Sequence, residues 1–133
     1  MAIFTNFATL SYNGGTTNSN TVTGELLETL TAAKTAVLAD YTEKDDVTYV
    51  ITLVNSGATP LTGLTITDDL GGYTFGTSTV YPLAYSAGSV RYYVNGVLQP
   101  APAVTAGPPL VITGINVPAG GNAMLIYEAT VTE

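Results

Sequence analysis

Three polar side chains occupy positions where predicted β-strands otherwise carry apolar residues: Asn6, Lys34 and Asp68. Alternate residues of a strand point to the same face of a sheet. All three side chains are therefore predicted to point towards a core. Their apolar neighbours of the same parity are Phe4, Ala8, Leu10 and Tyr12 around Asn6, Ala32, Ala36 and Leu38 around Lys34, and Leu64 and Ile66 before Asp68.

An amine, a carboxamide and a carboxyl group gathered in a core can form an isopeptide bond. Burial disfavours charge, so it lowers the pKa of an amine and raises that of a carboxyl. A neutral Lys34 amine would attack the Asn6 carboxamide while Asp68 carries protons, and ammonia would leave. A plainer interpretation stays open, in which Lys34 and Asp68 are exposed charges or a buried salt bridge and Asn6 hydrogen-bonds loop backbone.

The elements that must position these residues are strands separated by turn residues. Val47–Leu53 alternates cleanly, and Leu64–Thr67 alternates again before Asp68. Asn95-Gly96 predicts a type I′ hairpin between two short strands, since both residues tolerate positive φ. Short strands at this spacing predict an all-β antiparallel sandwich. The best helix candidate, Glu25–Ala36, is weakened by its threonines.

The chain divides into an N-terminal hairpin (residues 1–24), a linker (25–33) and a sandwich domain (34–133). Phe4–Tyr12 alternates strongly, Asn13-Gly14-Gly15 predicts a turn, and Asn20–Thr23 predicts a returning strand. An isolated hairpin is marginal in water, so this one must dock on a larger sheet. About ten residues of linker, roughly 30 Å when extended, would allow docking on its own sandwich or on a neighbour's.

Composition excludes several function classes. The net charge is −7 with only three Lys and Arg residues, which disfavours nucleic acid and anionic membranes. The chain has no His and no Cys, so the commonest general base, thiol chemistry and most metal sites are lost. Met1–Asn6 does not resemble a secretory signal, so we expect a signal removed earlier or export by another route.

From Ala32 onward the sequence resembles the DUF11-type repeat domain of bacterial and archaeal surface proteins. The motifs that carry the resemblance are Lys34-Thr35, Asp45–Gly57, Leu61–Leu70 and Val117–Thr132. The resemblance implies an immunoglobulin-like sandwich, related to pilin and adhesin domains that join a first-strand Lys to a last-strand Asn. It assigns Lys34 and Asn6 to the bond and Asp68 to proton transfer, with Asp69 or Glu128 as substitutes.

The resemblance also implies that the closing hairpin of the domain stands at the wrong end of the chain. Repeats of this type finish with a segment that Ile3–Gly15 and Asn18–Thr23 match, whereas here Val117–Thr132 is followed only by Glu133. We therefore predict a donor hairpin that either folds onto its own sandwich or completes the sandwich of a neighbour. Its apolar donor residues are Phe4, Ala8, Leu10 and Tyr12.

The sequence thus favours a structural protein without turnover chemistry or a cofactor, a homopolymer at the cell surface or on a spore. The alternative is a monomeric adhesive or carbohydrate-binding module facing a host surface or glycan. Two weaker signals accompany these readings. An acidic loop, Asp40–Asp46, suits Ca²⁺ but more simply forms a solvated charge cluster. A sugar-stacking platform would draw on Tyr81, Tyr85, Tyr92 and Tyr93.

Overall fold

The computed structural model describes residues 2–26 and 29–132, and these residues form strands, turns and loops without a helix. None of the described residues lies in a helix long and apolar enough to cross a membrane. The strands are β1 Ala2–Asn6, β2 Thr9–Tyr12, β3 Gly15–Asn18, β4 Val22–Leu26, β5 Leu30–Ala36, β6 Asp46–Asn55, β7 Leu61–Asp68, β8 Tyr73–Phe75, β9 Ser78–Val80, β10 Leu83–Tyr85, β11 Arg91–Val94, β12 Val97–Gln99, β13 Ala103–Thr105, β14 Leu110–Val117 and β15 Asn122–Val131.

Two antiparallel sheets hold most of these strands. The larger sheet has the order β12-β11-β15-β6-β5, and β10 also pairs with β15. The smaller sheet has the order β13-β14-β7. The prediction of an all-β antiparallel fold is confirmed.

The core lies between the two sheets. Leu110, Ile112 and Ile115 of β14 are fully buried, as are Leu125 and Tyr127 of β15. In β15 the buried residues occur at every second position, whereas in β14 a register shift between Ile112 and Ile115 brings both onto the buried side. Both sheets contribute to one hydrophobic cluster, an arrangement compatible with a β-sandwich.

The turn predicted at Asn95-Gly96 joins β11 to β12. Asn95 and Gly96 both have positive φ, 47° and 80°, as a type I′ turn requires. The helix candidate Glu25–Ala36 is wrong. Its first residues belong to β4, and β5 pairs along β6 from Leu30 to Ala36, so sheet pairing overrides a weak helix preference.

The N-terminal residues form a long, exposed hairpin. β1 pairs with β4 and β2 with β3, and the register slips by one residue between Asn6↔Val22 and Thr9↔Asn18. The Phe4 ring lies over Gly24, a packing that compensates for a strand glycine. Since β4 ends at Leu26 and β5 begins at Leu30, residues 27–29 are the only connection, shorter than the predicted linker.

Candidate functional site

Lys34 points into the space between the sheets from β5. It is paired in register with Ile51, a core residue of β6, so both side chains face inward. Its Nζ lies 2.6 Å from Oδ2 of Asp68. The Lys34 side chain is nevertheless 40% exposed, whereas that of Asp68 is 6% exposed. The Lys34 side chain is therefore the exposed partner of an otherwise buried ion pair.

Asp68 is the last residue of β7 and accepts three hydrogen bonds. Lys34 Nζ and the Tyr127 hydroxyl donate to Oδ2, and the Leu70 backbone N–H donates to Oδ1 at 2.9 Å. The carboxylate is thus fixed from two strands and its own following turn.

Two tyrosines form the aromatic wall of the site. The Tyr49 ring centroid is 4.2 Å from Lys34 Nζ, and that of Tyr127 is 5.8 Å away, both within cation–π range. The two rings are 5.7 Å apart. Sequence reasoning missed both residues as site members. Alternation could have indicated Tyr127 as a core residue, because it lies two residues from both Leu125 and Ala129 on the buried face of β15.

The protonation state of Asp68 differs from the expectation. Burial raises the pKa of the Asp68 carboxyl, but hydrogen bonds from Lys34, Tyr127 and the Leu70 N–H outweigh it and hold the pKa below its usual value. The expected rise is therefore wrong for this arrangement. Burial and the nearby carboxylate together raise the pKa of the Tyr127 hydroxyl, so that tyrosine stays a donor.

Asn6 lies outside this cluster. It is exposed on β1, where it pairs with Val22. Hydrogen bonds of residues 2–24 in the described structure stay within the hairpin, for example from the Ser19 N–H to the Ala8 carbonyl. The structure thus assembles two of the three predicted cross-linking residues and leaves the third on a separate surface.

The cluster opens onto an unfilled side of the sandwich. β5 ends the larger sheet and β7 ends the smaller one, and the Lys34–Asp68 contact shows that these two edges lie at the same side. Leu64 and Ile66 of β7 are only partly buried there. Among the described residues no strand covers either edge, so unpaired backbone groups face this side.

The substitute acids and the weaker signals do not join the site. Asp69 is exposed and accepts from the Gly71 N–H, while Glu128 is exposed on the opposite face of β15 from Tyr127. Among the described residues no acidic group has the arrangement of a metal site. The tyrosine platform is wrong, because Tyr92 is buried with its hydroxyl bonded to Asn116, whereas its neighbour Tyr93 faces the other way.

Chemically, the site holds an amine beside a carboxylate under aromatic cover, and it lacks an acyl group for the amine to attack. Comparison of the chain with protein-family models, with curated proteins and with solved structures found no match.

Proposed function

We propose that this chain is a structural subunit of an extracellular filament, built by head-to-tail donation of its N-terminal hairpin to the open sandwich of the next subunit. One observation carries the proposal. The hairpin presents Phe4, Leu10 and Tyr12 to solvent, while β5 and β7 leave an apolar side of the sandwich uncovered. The exposed apolar residues of the hairpin could therefore cover the open side between β5 and β7. In this proposal the sandwich is of the immunoglobulin-like kind, and a cell or spore surface is its location.

Burial of apolar surface and new backbone hydrogen bonds would both favour docking. Leu10 is 62% exposed and Phe4 57% exposed, and full burial of such a side chain contributes about 1.5–3 kcal/mol. A strand added to a sheet edge also satisfies unpaired N–H and C=O groups. Because donor and acceptor surfaces are different, the contact is heterologous and repeats into an open chain of subunits.

The docked strand would convert the ion pair into a reactive pair. Covering Lys34 removes water from two charges, and a proton passing from Nζ to Asp68 Oδ2 leaves both groups neutral. Nζ then attacks Cγ of Asn6 from the incoming strand while the Asp68 carboxyl hydrogen-bonds the amide oxygen. The C–N bond to the amide nitrogen breaks, that nitrogen leaves as ammonia, and a Lys34–Asn6 amide joins the two chains.

Electron microscopy and size-exclusion chromatography test the polymer. The full chain is expected to form filaments, and a Leu10→Glu variant is expected to stay monomeric while keeping its β-rich circular dichroism. A full chain that remains monomeric at high concentration, with its hairpin closed on itself, would overturn the proposal.

Acylation of lysines tests the covalent bond, because Lys34 and Lys44 are the lysines of the chain and Lys44 is an exposed internal control. Filaments are denatured, treated with an amine-reactive ester and mapped by peptide mass spectrometry. We expect Lys44 to be labelled and Lys34 to be protected, with a loss of about 17 Da per bond as ammonia leaves. Filaments of an Asn6→Ala variant should label at both lysines. Full labelling of Lys34 in denatured wild-type filaments would exclude the bond.

A further inference from the structure

The open side of the sandwich has a direction, set by contacts at its two ends. At one end Lys34 of β5 meets Asp68, the last residue of β7. At the other end Leu30 of β5 pairs with Asn55, whose amide reaches the carbonyl of Val117, the partner of Leu61 at the start of β7. β5 and β7 therefore run the same way along the opening.

We infer that the donated strand enters antiparallel to β7, with Asn6 level with Asp68, Ala8 opposite Ile66 and Leu10 opposite Leu64. This inference rests on the proposed function and deepens it, since it specifies the register of the partner copy. Its consequence is that a subunit cannot close its own opening while its hairpin stays paired, so donation occurs only between copies.

Matching of apolar residues selects the direction. In the antiparallel sense, Ala8 and Leu10 follow Asn6 along β7 and lie opposite its partly buried inward residues Ile66 and Leu64, while Tyr12 continues level with Thr62. In the parallel sense, only Phe4 and Ala2 would lie along β7, and Leu10 and Tyr12 would run beyond its end. Antiparallel addition therefore buries more of the exposed apolar face of the hairpin, and it is also the commoner pairing.

The length of the connection then excludes closure in the same chain. Leu26 is level with Ala2, which in this register lies about 13 Å beyond Asp68, at about 3.3 Å per residue. Leu30 lies about 13 Å from Lys34 in the opposite direction along β5. The gap from Leu26 to Leu30 is thus about 26 Å, while the connecting chain spans at most about 14 Å. In the parallel sense the two ends would be nearly level, and the same chain could close.

Cysteine pairing tests the register, because the natural chain has no cysteine. A Leu10→Cys variant is mixed with a Leu64→Cys variant, the mixture is oxidised, and disulfides are mapped without reduction. Facing positions on adjacent strands have the Cβ separation a disulfide needs. We expect a Leu10–Leu64 position disulfide between different chains. A mixture of Phe4→Cys and Ile66→Cys, the pair that faces in the parallel sense, is expected to stay unlinked. Linkage of that second mixture with none in the first would overturn the inferred register.

Linker length tests the restriction to donation between copies. Insertion of about 12 Gly and Ser residues after Leu26 gives a flexible connection that can span the gap. At low protein concentration this variant is expected to lose multimers several-fold in favour of a closed monomer. The same insertion after Gly76, in the exposed β8–β9 turn, is the control and should leave multimers unchanged. Equal multimer fractions in the two variants would overturn the inference even if filaments form, whereas absence of wild-type filaments would refute the proposed function instead.

Discussion

Replacement of Asp68 by Asn should destabilise the sandwich at neutral pH and leave it nearly unchanged in acid. The substitution keeps the shape and the Oδ1 acceptor for the Leu70 N–H, but puts an NH₂ group where Oδ2 receives Lys34 and Tyr127. A hydrogen bond to a charged group contributes about 1.5–3 kcal/mol. The Lys34 contribution is discounted to about 0–1 kcal/mol, because that side chain is 40% exposed.

Two effects offset part of this loss. The Tyr127 hydroxyl can turn and accept a weaker bond from the new amide, and the variant no longer buries a charge. The net effect expected at pH 7 is a loss of about 1–2 kcal/mol in the free energy of unfolding, set against typical domain stabilities of about 5–15 kcal/mol.

The pH dependence gives the sharper result. The pKa of Asp68 is lowered in the folded state, so its contribution is present above the unfolded pKa of about 3.9 and is lost as pH falls through the folded pKa. The difference in unfolding free energy between chains with Asp68 and chains with Asp68→Asn should therefore be full above about pH 5 and shrink as the pH falls below about 3.9.

Urea unfolding followed by far-ultraviolet circular dichroism measures this, on the monomeric fraction of chains carrying Asn6→Ala so that no cross-link interferes. Asp69→Asn is the matched control, since that exposed neighbour also accepts one turn N–H, and it should change stability by less than about 0.5 kcal/mol. A difference between the Asn6→Ala chain and the same chain carrying Asp68→Asn that is absent at pH 7, or that persists unchanged to pH 2.5, would refute the assigned role of the carboxylate.

Three further substitutions, one of them with a matched control, test the site, the hairpin and the fold separately. Tyr127→Phe removes one donor to Asp68 and should slow formation of detergent-resistant multimers several-fold, with filaments still visible by electron microscopy; an unchanged rate would contradict the positioning role. Leu10→Ser should lower the multimer fraction without shifting the Tm of the monomer, whereas Val97→Ser, at the same 62% exposure on the sandwich, should change neither. Gly96→Ala, at φ 80°, should lower unfolding free energy by about 1–2 kcal/mol and leave assembly intact, as chemical denaturation and electron microscopy would show.

The alternation of side chains along a strand was enough to predict that Lys34 and Asp68 point inward. Period 2 is a local property of a strand, so it needs no knowledge of what lies opposite. It could not reveal that Tyr127, 59 residues beyond Asp68, donates to the same carboxylate, because that contact depends on how the two sheets pack. The predicted rise in the pKa of Asp68 was wrong for the same reason. Burial of the carboxyl could be predicted from the sequence, whereas the three donors that converge on it could not.

The segment between hairpin and sandwich shows a second limit. Glu25–Ala36 carries both good helix formers and threonines, and its outcome is decided by the free edge of β6 rather than by its own preference. The connection between β4 and β5 is therefore residues 27–29, shorter than the predicted linker of residues 25–33. Under the proposed function, this difference of a few residues in the boundary decides whether the hairpin can reach its own subunit or only a neighbour.

Under the proposed function, the Lys34–Asp68 pair must be unreactive before assembly and reactive after it. In the open subunit the two charges stabilise each other at 2.6 Å, and water reaches the lysine. A protonated amine is no nucleophile, so Lys34 held in this ion pair does not attack other carboxamide or carbonyl groups. Only a strand that both covers Lys34 and delivers a carboxamide removes the solvent that favours the charged pair and supplies the group to be attacked. Under the proposed function, the chemistry therefore needs no separate trigger: the event that places Asn6 correctly is the same event that makes Lys34 reactive, which confines the bond to correctly docked neighbours.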